Sequence, residues 1–541
     1  MSITKINIEN FKCFYGKFSL NLGDGVNILV GDNESGKSTV LQAINLALTG
    51  MIDGRSILSE ISPYIFNVRA IDEFLQNLSS GTTPCLPPSV GVEVFFGENE
   101  FPNLEGEGNS EGKGVAGISL TIEFSDDYRP EYGELLKAKQ ISSLPIEFYR
   151  VNWRSFARSA ITARSVPVKV AMIDSTAPRY QNGSDIYISR IVQAELDDAE
   201  RVAISREYRE MRDCFGCSES IKAINTRLKE KSAVNDRDIR IDVDLSPQKA
   251  WHTSLAVFMD KVPFHHIGKG EQCMLKTHLA LGHRKTKDAD VILMEEPENH
   301  LSHTKLNILM QRIAVGTEDK QVIVSTHSSF VANKLGLDRI IFLNKSNVSS
   351  FKDLPNDTYK FFKKAPGYQT LRLLLCRKAV LVEGPSDELI FQKAYLTQNN
   401  GRLPIEDGVD VLSTGLAFKR FLEIAKLINH ETAVITDNDG NYNNNIIKKY
   451  SDFDGFNNIK IFADQRQHLR TLEYQFFDTN SENIENLRNL LSLEKSKFPN
   501  DNDVIDFMLK NKTEWAISVF DSDISFEYPP YIIDAVRWCD E

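Results

Sequence analysis

The sequence predicts an α/β fold made of two successive parts, and three observations carry this prediction. Near the N-terminus, "VNILVGDNESGKSTVLQAINLALTG" reads as an apolar strand, a glycine-rich loop and an amphipathic helix. A second apolar strand, in "DADVILMEEPENHLS", ends in two adjacent glutamates. Beyond residue 370, strand and helix patterns alternate, which is typical of a parallel sheet with its sites at the C-terminal strand ends.

Composition limits the class of protein. With 541 residues, 41% hydrophobic and 26% charged, the chain is long enough for several domains with their own cores. The formal net charge of −12 excludes a uniformly basic nucleic-acid coat, although it permits a local basic channel. Seven scattered cysteines, no signal-peptide pattern and no apolar run long enough to cross a bilayer predict a reduced, soluble, cytoplasmic protein without a membrane partner.

The N-terminal loop predicts a nucleotide site. Residues 31–39 fit the pattern G-x-x-x-x-G-K-[ST], in which backbone N–H groups wrap phosphate oxygens at a helix N-terminus. Lys37 is expected to reach the β- and γ-phosphates, and the Ser38 hydroxyl to ligate Mg²⁺. ATP and Mg²⁺ are therefore the predicted cofactors. The predicted nucleotide-binding residues of the loop are Asn33, Gly36, Lys37, Ser38 and Thr39.

The paired glutamates predict the hydrolytic half of the same site. Glu295, at the strand end, is expected to bind nucleotide by holding the water shell of Mg²⁺, and Glu296 to act as the general base that polarises the attacking water. A third apolar strand, in "QVIVSTHSSF", ends at His327, which we expect to contact the γ-phosphate. A lone histidine after a strand is usually structural, but the order of loop, double acid and histidine favours a catalytic role.

These motifs resemble the ABC-type ATPase heads of the SMC and RecF group. That group carries a signature loop before the double acid, and "IGKGEQCMLKTHLALG" occupies this position. Gly270 and Glu271 fit the pattern and are expected to bind nucleotide, whereas Gly268 and Lys269 depart from it. In such heads the signature of one copy completes the nucleotide site of another. One loop and one signature per chain therefore predict a homodimer or a higher homo-oligomer.

The chain between the loop and the signature contains no sustained heptads of the kind that build long coiled-coil arms. It contains strand patterns and then a charged helical stretch, which we interpret as a short dimerisation arm. The predicted domains are 1–160 and 251–350 for the two parts of the ATPase, 161–250 for the helical insert and 370–541 for a second α/β domain.

Acidic residues follow the strands of this second domain. Glu383 closes its first strand, and Asp437 and Asp439 close the third in "AVITDNDG". On a strand, side chains at i and i+2 share a side, and two like charges held so close repel unless a cation lies between them. Asp387 on the first helix turn and Glu473 extend the set, although Asp387 and Asp439 also fit helix caps or turns. Oxygen ligands favour Mg²⁺ or Mn²⁺, and two such ions suit phosphodiester hydrolysis.

The segment "EGPSD" followed by D-x-D resembles the Toprim fold, and a Toprim domain after an ABC-type head resembles the OLD (overcoming lysogenisation defect) family of ATP-dependent nucleases. The resemblance implies an ATPase dimer controlling a metal-dependent DNA endonuclease, often in antiphage defence beside a helicase or a retron reverse transcriptase with its DNA. It implies catalysis by Glu383, Asp437 and Asp439, helped by Lys512. The implied metal ligands are Ser38 in the ATPase and Glu383, Asp387, Asp437, Asp439 and Glu473 in the Toprim domain.

The sequence leaves two alternatives open. One is a RecF-like DNA-binding ATPase clamp whose Toprim domain is inactive or depends on a partner. The other concerns the lysine that assists catalysis. Lys512 and the nearby Lys510 each also fit an ordinary exposed lysine on a helix face.

One basic stretch is a candidate for DNA contacts. The stretch "RVNWRSFARSAITARS" interleaves Arg154, Arg158 and Arg164 with Trp153 and Phe156. It fits either phosphate binding with base stacking or an ordinary amphipathic segment near a dimer interface.

Overall fold

The computed structural model describes most of the chain. The described ranges are 2–31, 34–52, 55–58, 61–80, 86–98, 100–138, 141–174, 180–181, 184–185, 196–231, 258–282, 289–316, 320–328, 331–332, 335–344, 347–364, 372–374, 376–496 and 498–540.

Strands and helices alternate through much of the described chain. The strands, in chain order, are β1 (Ile3–Glu9), β2 (Lys17–Asn21), β3 (Val26–Val30), β4 (Met51–Ile52), β5 (Arg55–Ser56), β6 (Val90–Phe96), β7 (Glu105–Gly106), β8 (Val115–Phe124), β9 (Tyr149–Ser155), β10 (Val170–Asp174), β11 (Tyr180–Gln181), β12 (Ser184–Asp185), β13 (Phe258–Met259), β14 (Val262–Pro263), β15 (Val291–Glu295), β16 (Gln321–Ser325), β17 (Ile340–Asn344), β18 (Asn347–Ser350), β19 (Lys378–Val382), β20 (Val409–Ser413), β21 (Glu431–Ile435) and β22 (Ile459–Phe462). The α-helices are α1 (Lys37–Thr49), α2 (Val68–Ser79), α3 (Arg129–Ala138), α4 (Asp198–Gly216), α5 (Glu219–Lys231), α6 (Lys269–Gly282), α7 (His303–Gly316), α8 (Asn356–Lys364), α9 (Pro385–Gln398), α10 (Phe418–Ile428), α11 (Leu472–Thr479), α12 (Ile484–Leu490), α13 (Asp501–Lys510), α14 (Lys512–Asp521) and α15 (Pro530–Asp540).

The chain divides into two compact units. The first comprises Met1–Asn27 and Ser38–Thr326, and the second comprises Ile28–Lys37 and His327–Glu541. None of the helices that the structure describes is long and apolar enough to cross a membrane.

An antiparallel sheet in the order β2-β1-β6-β8 forms one layer of the first unit, with β7 and β9 also paired to β8. Strand β2 alternates exposed residues with buried apolar ones, and β6 begins with buried valines alternating with half-buried residues, as expected for a sheet with one face in the core. Trp153 and Phe156 belong to this core, with 6% and 1% of their surfaces exposed, and the Trp153 indole donates to the Ala47 carbonyl at 3.0 Å. The expectation that these two aromatics stack on bases is therefore wrong, because both rings are already packed. Arg154 and Arg158 remain exposed.

Three parallel strands, in the order β10-β15-β16, form a second layer of the first unit. The apolar runs of β15 and β16 are almost wholly buried, as in sheets covered on both faces. Strand β10 lies inside the stretch 161–250, so this stretch is not helical from its start. Only α4 and α5 are helices of the predicted insert in the described residues, and a capping box of Asp197 and Glu200 begins α4. Their role in dimerisation stays a prediction.

In the second unit, β3 pairs in parallel with β17, which turns back into β18. The β17–β18 hairpin contacts the end of α10, where Ser349 Oγ donates to the Leu427 carbonyl at 3.3 Å.

The rest of the second unit is built on a parallel sheet in the order β20-β19-β21-β22. Every residue of β19 is buried, Lys378 included, and its apolar run 379–382 is typical of a strand covered on both faces. Behind the sheet, Phe476 packs against Trp515 with ring centroids 5.2 Å apart, joining α11 to α14. This core holds the C-terminal ends of β19 and β21 side by side, which is where the predicted acids follow.

Candidate nucleotide and metal sites

The phosphate loop begins with a glycine that the packing requires. A Cβ on Gly31 would lie 2.2 Å from the Leu343 carbonyl oxygen at the end of β17. Gly36 has a φ of +98°, a conformation that glycine adopts without strain. Lys37 is 4% exposed, and its Nζ donates to the Gly31 carbonyl at 2.9 Å, so the ammonium crosses the loop.

The loop fits a nucleotide by two further observations. It leads into the N-terminus of α1, and the backbone N–H groups at a helix N-terminus favour a phosphate. The Ser35 hydroxyl is buried and has no hydrogen-bond partner among the described residues, so it is a polar atom that a ligand could satisfy. Ser38 is half-buried, Thr39 is buried, and the Cys13 thiol donates to the Thr39 hydroxyl at 3.3 Å. Asn33 lies outside the described residues.

The paired acids lie where strand β15 ends. Glu295 is the last residue of the strand, and Glu296 turns the chain with a φ of +39°. The Glu296 backbone N–H donates to the Ser325 carbonyl at 3.0 Å, and Asn299 Nδ2 donates to its carboxylate at 2.7 Å. Asn299 therefore orients the predicted general base, a role that the sequence patterns did not indicate. His327 is half-buried, and its contact with the γ-phosphate stays a prediction.

The predicted signature loop begins helix α6. Lys269 is the first helical residue, and the Gly268 carbonyl accepts the backbone N–H of Glu271 at 2.9 Å. A Cβ on Gly270 would lie 2.3 Å from the His300 carbonyl oxygen, so this glycine permits close approach of the turn that follows the paired acids. The Glu271 side chain is 49% exposed, which leaves it accessible to a second molecule.

In the second unit, the acids that follow β19 and β21 meet. Glu383 Oε1 accepts a hydrogen bond of 2.7 Å from the Thr436 hydroxyl and one of 3.2 Å from the Asp437 backbone N–H. The parallel register of the two central strands produces this contact, because their C-terminal ends are level. The sequence prediction that Glu383 and the D-x-D segment converge is confirmed by this geometry.

Asp387 is both a helix cap and a member of the same acidic group. Its Oδ2 accepts the Gly384 backbone N–H at 3.0 Å at the start of α9. Burial raises the pKa of Asp387 to about 7, and the neighbouring charges of Glu383 and Glu473 add to this rise. Asp387 can therefore be a helix cap and a member of the acidic group at the same time.

Asp437 lies at the centre of the group. Burial raises the pKa of Asp437 well above its ordinary value, and four neighbouring carboxylates raise it further. Its Oδ1 is buried and has no hydrogen-bond partner in the part of the chain that the structure describes. We name Asp437 and these four neighbours the carboxylate cluster, which consists of Glu383, Asp387, Asp437, Asp439 and Glu473.

Asp439 reaches the carboxylate cluster by a route other than the one predicted. Strand β21 ends at Ile435, so both aspartates lie in the turn beyond it. Asp439 is exposed and has a φ of +48°, so the i, i+2 rule for strands does not apply. The shared-side argument was wrong, although the Asp439 charge still contributes to the raised pKa of Asp437.

Glu473 and Lys512 complete this part of the structure. Glu473 is 2% exposed, and its Oε2 accepts the Thr471 hydroxyl at 2.6 Å. Lys512, the first residue of α14, places its Nζ 3.8 Å from Glu473 Oε1 while 58% of its side chain stays exposed. Lys512 is thus the lysine that the structure brings to the carboxylate cluster.

The carboxylate cluster fits a divalent cation by its electrostatics. A bound cation would give the orphaned Asp437 oxygen a partner and would offset the mutual repulsion of the acids. Among the described residues, no three acidic, histidine or cysteine side chains are already grouped to hold one ion. Side-chain rotation would therefore have to accompany metal binding, and the exposed Asp439 has the room for it.

Sequence patterns missed the residues that support the carboxylate cluster. Thr436 and Thr471 each donate to a carboxylate. Burial raises the pKa of Tyr531, the nearby charge of Asp437 adds to this rise, and the Tyr531 hydroxyl donates to Gln475 at 2.6 Å. Thr436 and Tyr531 make these contacts with distant segments of the chain, so no spacing within one segment could have indicated them.

The geometry defines a class: a P-loop ATPase head followed by a Toprim-like domain with a four-stranded parallel sheet. Family comparisons agree. Residues 5–237 match a model described as an AAA domain, residues 186–333 match "AAA domain, putative AbiEii toxin, Type IV TA system", and residues 374–439 match "Overcoming lysogenization defect protein-like, TOPRIM domain". The chain therefore combines an AAA-type ATPase head with a Toprim domain of the OLD-like type.

Solved structures similar to the chain include several SMC heads. An SmcHead bound to the C-terminal winged-helix domain of ScpA is 16% identical, with a TM-score of 0.35, covering 64% of this chain and 97% of that one. The SMC head domain from Thermotoga maritima is 14% identical, with a TM-score of 0.29 and the same coverage. No curated protein matches the chain.

Proposed function

We propose that this protein is an ATP-hydrolysing, metal-dependent DNA endonuclease whose Toprim domain cuts phosphodiester bonds under the control of a dimer of ATPase heads. The observation that carries the proposal is Asp437. A half-buried carboxylate with an orphaned oxygen, surrounded by four others, is costly unless it has a cationic ligand.

The residues suited to hold Mg²⁺ or Mn²⁺ are those of the carboxylate cluster, because hard oxygen ligands select these ions. When bound, two such ions activate a water and stabilise the leaving oxygen of a phosphodiester. Glu383, Asp437 and Asp439 act as catalytic ligands. Lys512 adds a positive charge at the edge of the carboxylate cluster, where it neutralises negative charge developing on the phosphate.

ATP binds the loop 31–39 and is hydrolysed with Glu296 as general base. Ser38 ligates the nucleotide Mg²⁺, with Glu295 holding its water shell and His327 contacting the γ-phosphate. Gly270 and Glu271 complete the site of a second copy, so the active form is a homodimer or a higher homo-oligomer. The protein acts on DNA in bacterial antiphage defence, alone or with a partner such as a helicase or a retron reverse transcriptase with its DNA.

A RecF-like clamp with an inactive Toprim domain is the competing function. The intact carboxylate cluster argues against it, since a domain that only binds DNA gains nothing from concentrating five like charges. The Lys512–Glu473 contact argues in the same direction, because it places a cation at the edge of that group.

The test uses supercoiled plasmid with Mg²⁺ or Mn²⁺, with and without ATP. Wild type is expected to nick or linearise the plasmid, and Asp437→Asn to leave it intact. Asp452→Asn is the matched control, because Asp452 belongs to the same domain but its side chain is 78% exposed. Lys37→Ala then shows whether ATP licenses or restrains cutting.

A second measurement keeps metal binding separate from cleavage. Mg²⁺ or Mn²⁺ is expected to raise the Tm of wild type and of Asp452→Asn, but not that of Asp437→Asn. If wild type hydrolyses ATP but leaves DNA intact, and its Tm does not respond to either ion, the clamp function replaces the nuclease.

A further inference from the structure

We propose that Arg470, held beside the D-x-D turn by Asn438, binds a backbone phosphate of the DNA strand that enters the carboxylate cluster. The inference rests on the proposed nuclease function and adds to it a binding residue that no motif indicated.

The need for such a residue follows from charge. A phosphodiester backbone is anionic, and so is the carboxylate cluster, so DNA approaches only where cations offset the repulsion. Lys512 is one cation at this place, but it already lies in ion-pair distance of Glu473. A second positive group close to the D-x-D turn would bind the incoming strand.

Asn438, between the two aspartates, fixes the neighbouring segment 464–470 to the turn. Its side chain is fully buried, and its Nδ2 lies 2.8, 3.0 and 3.1 Å from the carbonyl oxygens of Asp464, Arg466 and Leu469. Its Oδ1 accepts the Gly440 backbone N–H at 2.7 Å. One amide therefore joins the turn to three points along this segment, which makes Asn438 a positioning residue for it.

Arg470 ends that segment against the turn. The Asp439 backbone N–H donates to the Arg470 carbonyl at 3.1 Å. The Arg470 Cγ lies 3.4 Å from the position that a Cβ would take on Gly440, so the aliphatic stem rests on the turn. The guanidinium Nη2 lies 3.5 Å from the Tyr474 hydroxyl, and in the described part of the chain Arg470 forms no ion pair. Its charge is exposed and available to a phosphate.

Arg466 on the same segment is not equivalent. Its guanidinium donates to Asp464 at 2.7 Å and to Asp478 at 2.7 Å, so its charge is already balanced by two carboxylates. The structure therefore assigns phosphate binding to Arg470 and a structural role to Arg466.

The test compares wild type with Arg470→Gln and Arg470→Lys, and with Arg402→Gln as the matched control. Arg402 pairs with Asp407 just before β20, so it lies near the N-terminal end of a strand, whereas the acids follow the C-terminal ends. Its side chain is 60% exposed. Binding of a fluorescent DNA duplex is measured without divalent metal at several salt concentrations. Cleavage is measured separately with Mg²⁺.

Arg470→Gln is expected to flatten the slope of log K against log salt by about 0.9, the value of one lost phosphate contact. Its KM for DNA is expected to rise roughly tenfold with little change in kcat, since a phosphate contact made in both states affects binding more than turnover. Arg470→Lys restores the salt slope because it keeps the charge, and Arg402→Gln behaves as wild type.

An unchanged slope and KM in Arg470→Gln overturns the inference, and so does a loss that Arg470→Lys fails to restore, which would show a structural role. If wild type cuts no DNA with Mg²⁺ or Mn²⁺, the nuclease function fails. The salt slope still decides on Arg470 in that case.

Discussion

The Thr436 hydroxyl donates a hydrogen bond of 2.7 Å to Glu383 Oε1 and so joins the residues that follow the two central strands of the Toprim sheet. A hydrogen bond to a charged group contributes more than a neutral one. Through it, an uncharged side chain at 3% exposure fixes the orientation of a predicted metal ligand.

Thr436→Val is therefore expected to weaken both the fold and the site. It keeps the shape of the side chain but removes the donor, at a cost of about 1.5–3 kcal/mol in the free energy of unfolding. Thermal unfolding measures this loss, and DNA cleavage is expected to need a higher Mg²⁺ concentration. Thr436→Ser keeps the hydroxyl and serves as control. Equal metal requirements in both variants would contradict the orienting role.

Asp437→Asn is expected to stabilise the metal-free protein. The repulsion that raises the pKa of Asp437 costs stability only where its carboxyl is ionised, so removing this charge stabilises the metal-free protein increasingly as the pH rises. The Tm without divalent metal is expected to rise, whereas Asp452→Asn, on an exposed side chain, leaves it unchanged. A lower Tm for Asp437→Asn would show that the Asp437 carboxylate stabilises the metal-free fold, which would contradict the prediction.

Gly31→Ala is expected to abolish ATP binding, because its Cβ would lie 2.2 Å from the Leu343 carbonyl oxygen and 2.7 Å from Ser35 Oγ. The Leu343 carbonyl belongs to the backbone and cannot rotate away, so the loop would have to change its own conformation to accommodate the added methyl group. Gly23→Ala is the matched control, since its nearest neighbour, Asn27 Oδ1, is at an ordinary 3.7 Å. Fluorescent nucleotide binding distinguishes them, and wild-type affinity in Gly31→Ala would contradict the role given to this contact.

Lys512→Gln is expected to lower kcat for DNA cleavage by about 10²-fold or more, the typical cost of removing one group that stabilises transition-state charge. ATP hydrolysis in the absence of DNA is expected to stay unchanged. Lys510→Gln separates the two lysines, because Lys510 ends α13 whereas Lys512 reaches Glu473. Equal effects of the two substitutions would support a general surface charge in place of a catalytic lysine.

Local sequence patterns were sufficient to predict the parts of this protein whose chemistry lies within one segment. The loop 31–39, the acids at the end of β15 and the acids after β19 and β21 each follow an apolar strand, and period and spacing reveal such strands. Because parallel strands end at one edge of a sheet, the convergence of Glu383 and Asp437 also followed from the alternating pattern.

Only the tertiary structure decided the contacts between distant segments. It showed that Trp153 is a core residue, because burial depends on what packs against β9 and not on the basic residues beside it. It placed Asp439 in a left-handed turn, where strand periodicity no longer applies. It also gave Asn438 its three carbonyl partners and left Arg470 without an ion pair among the described residues. Sequence spacing reports local geometry, whereas such contacts depend on how the chain folds back on itself.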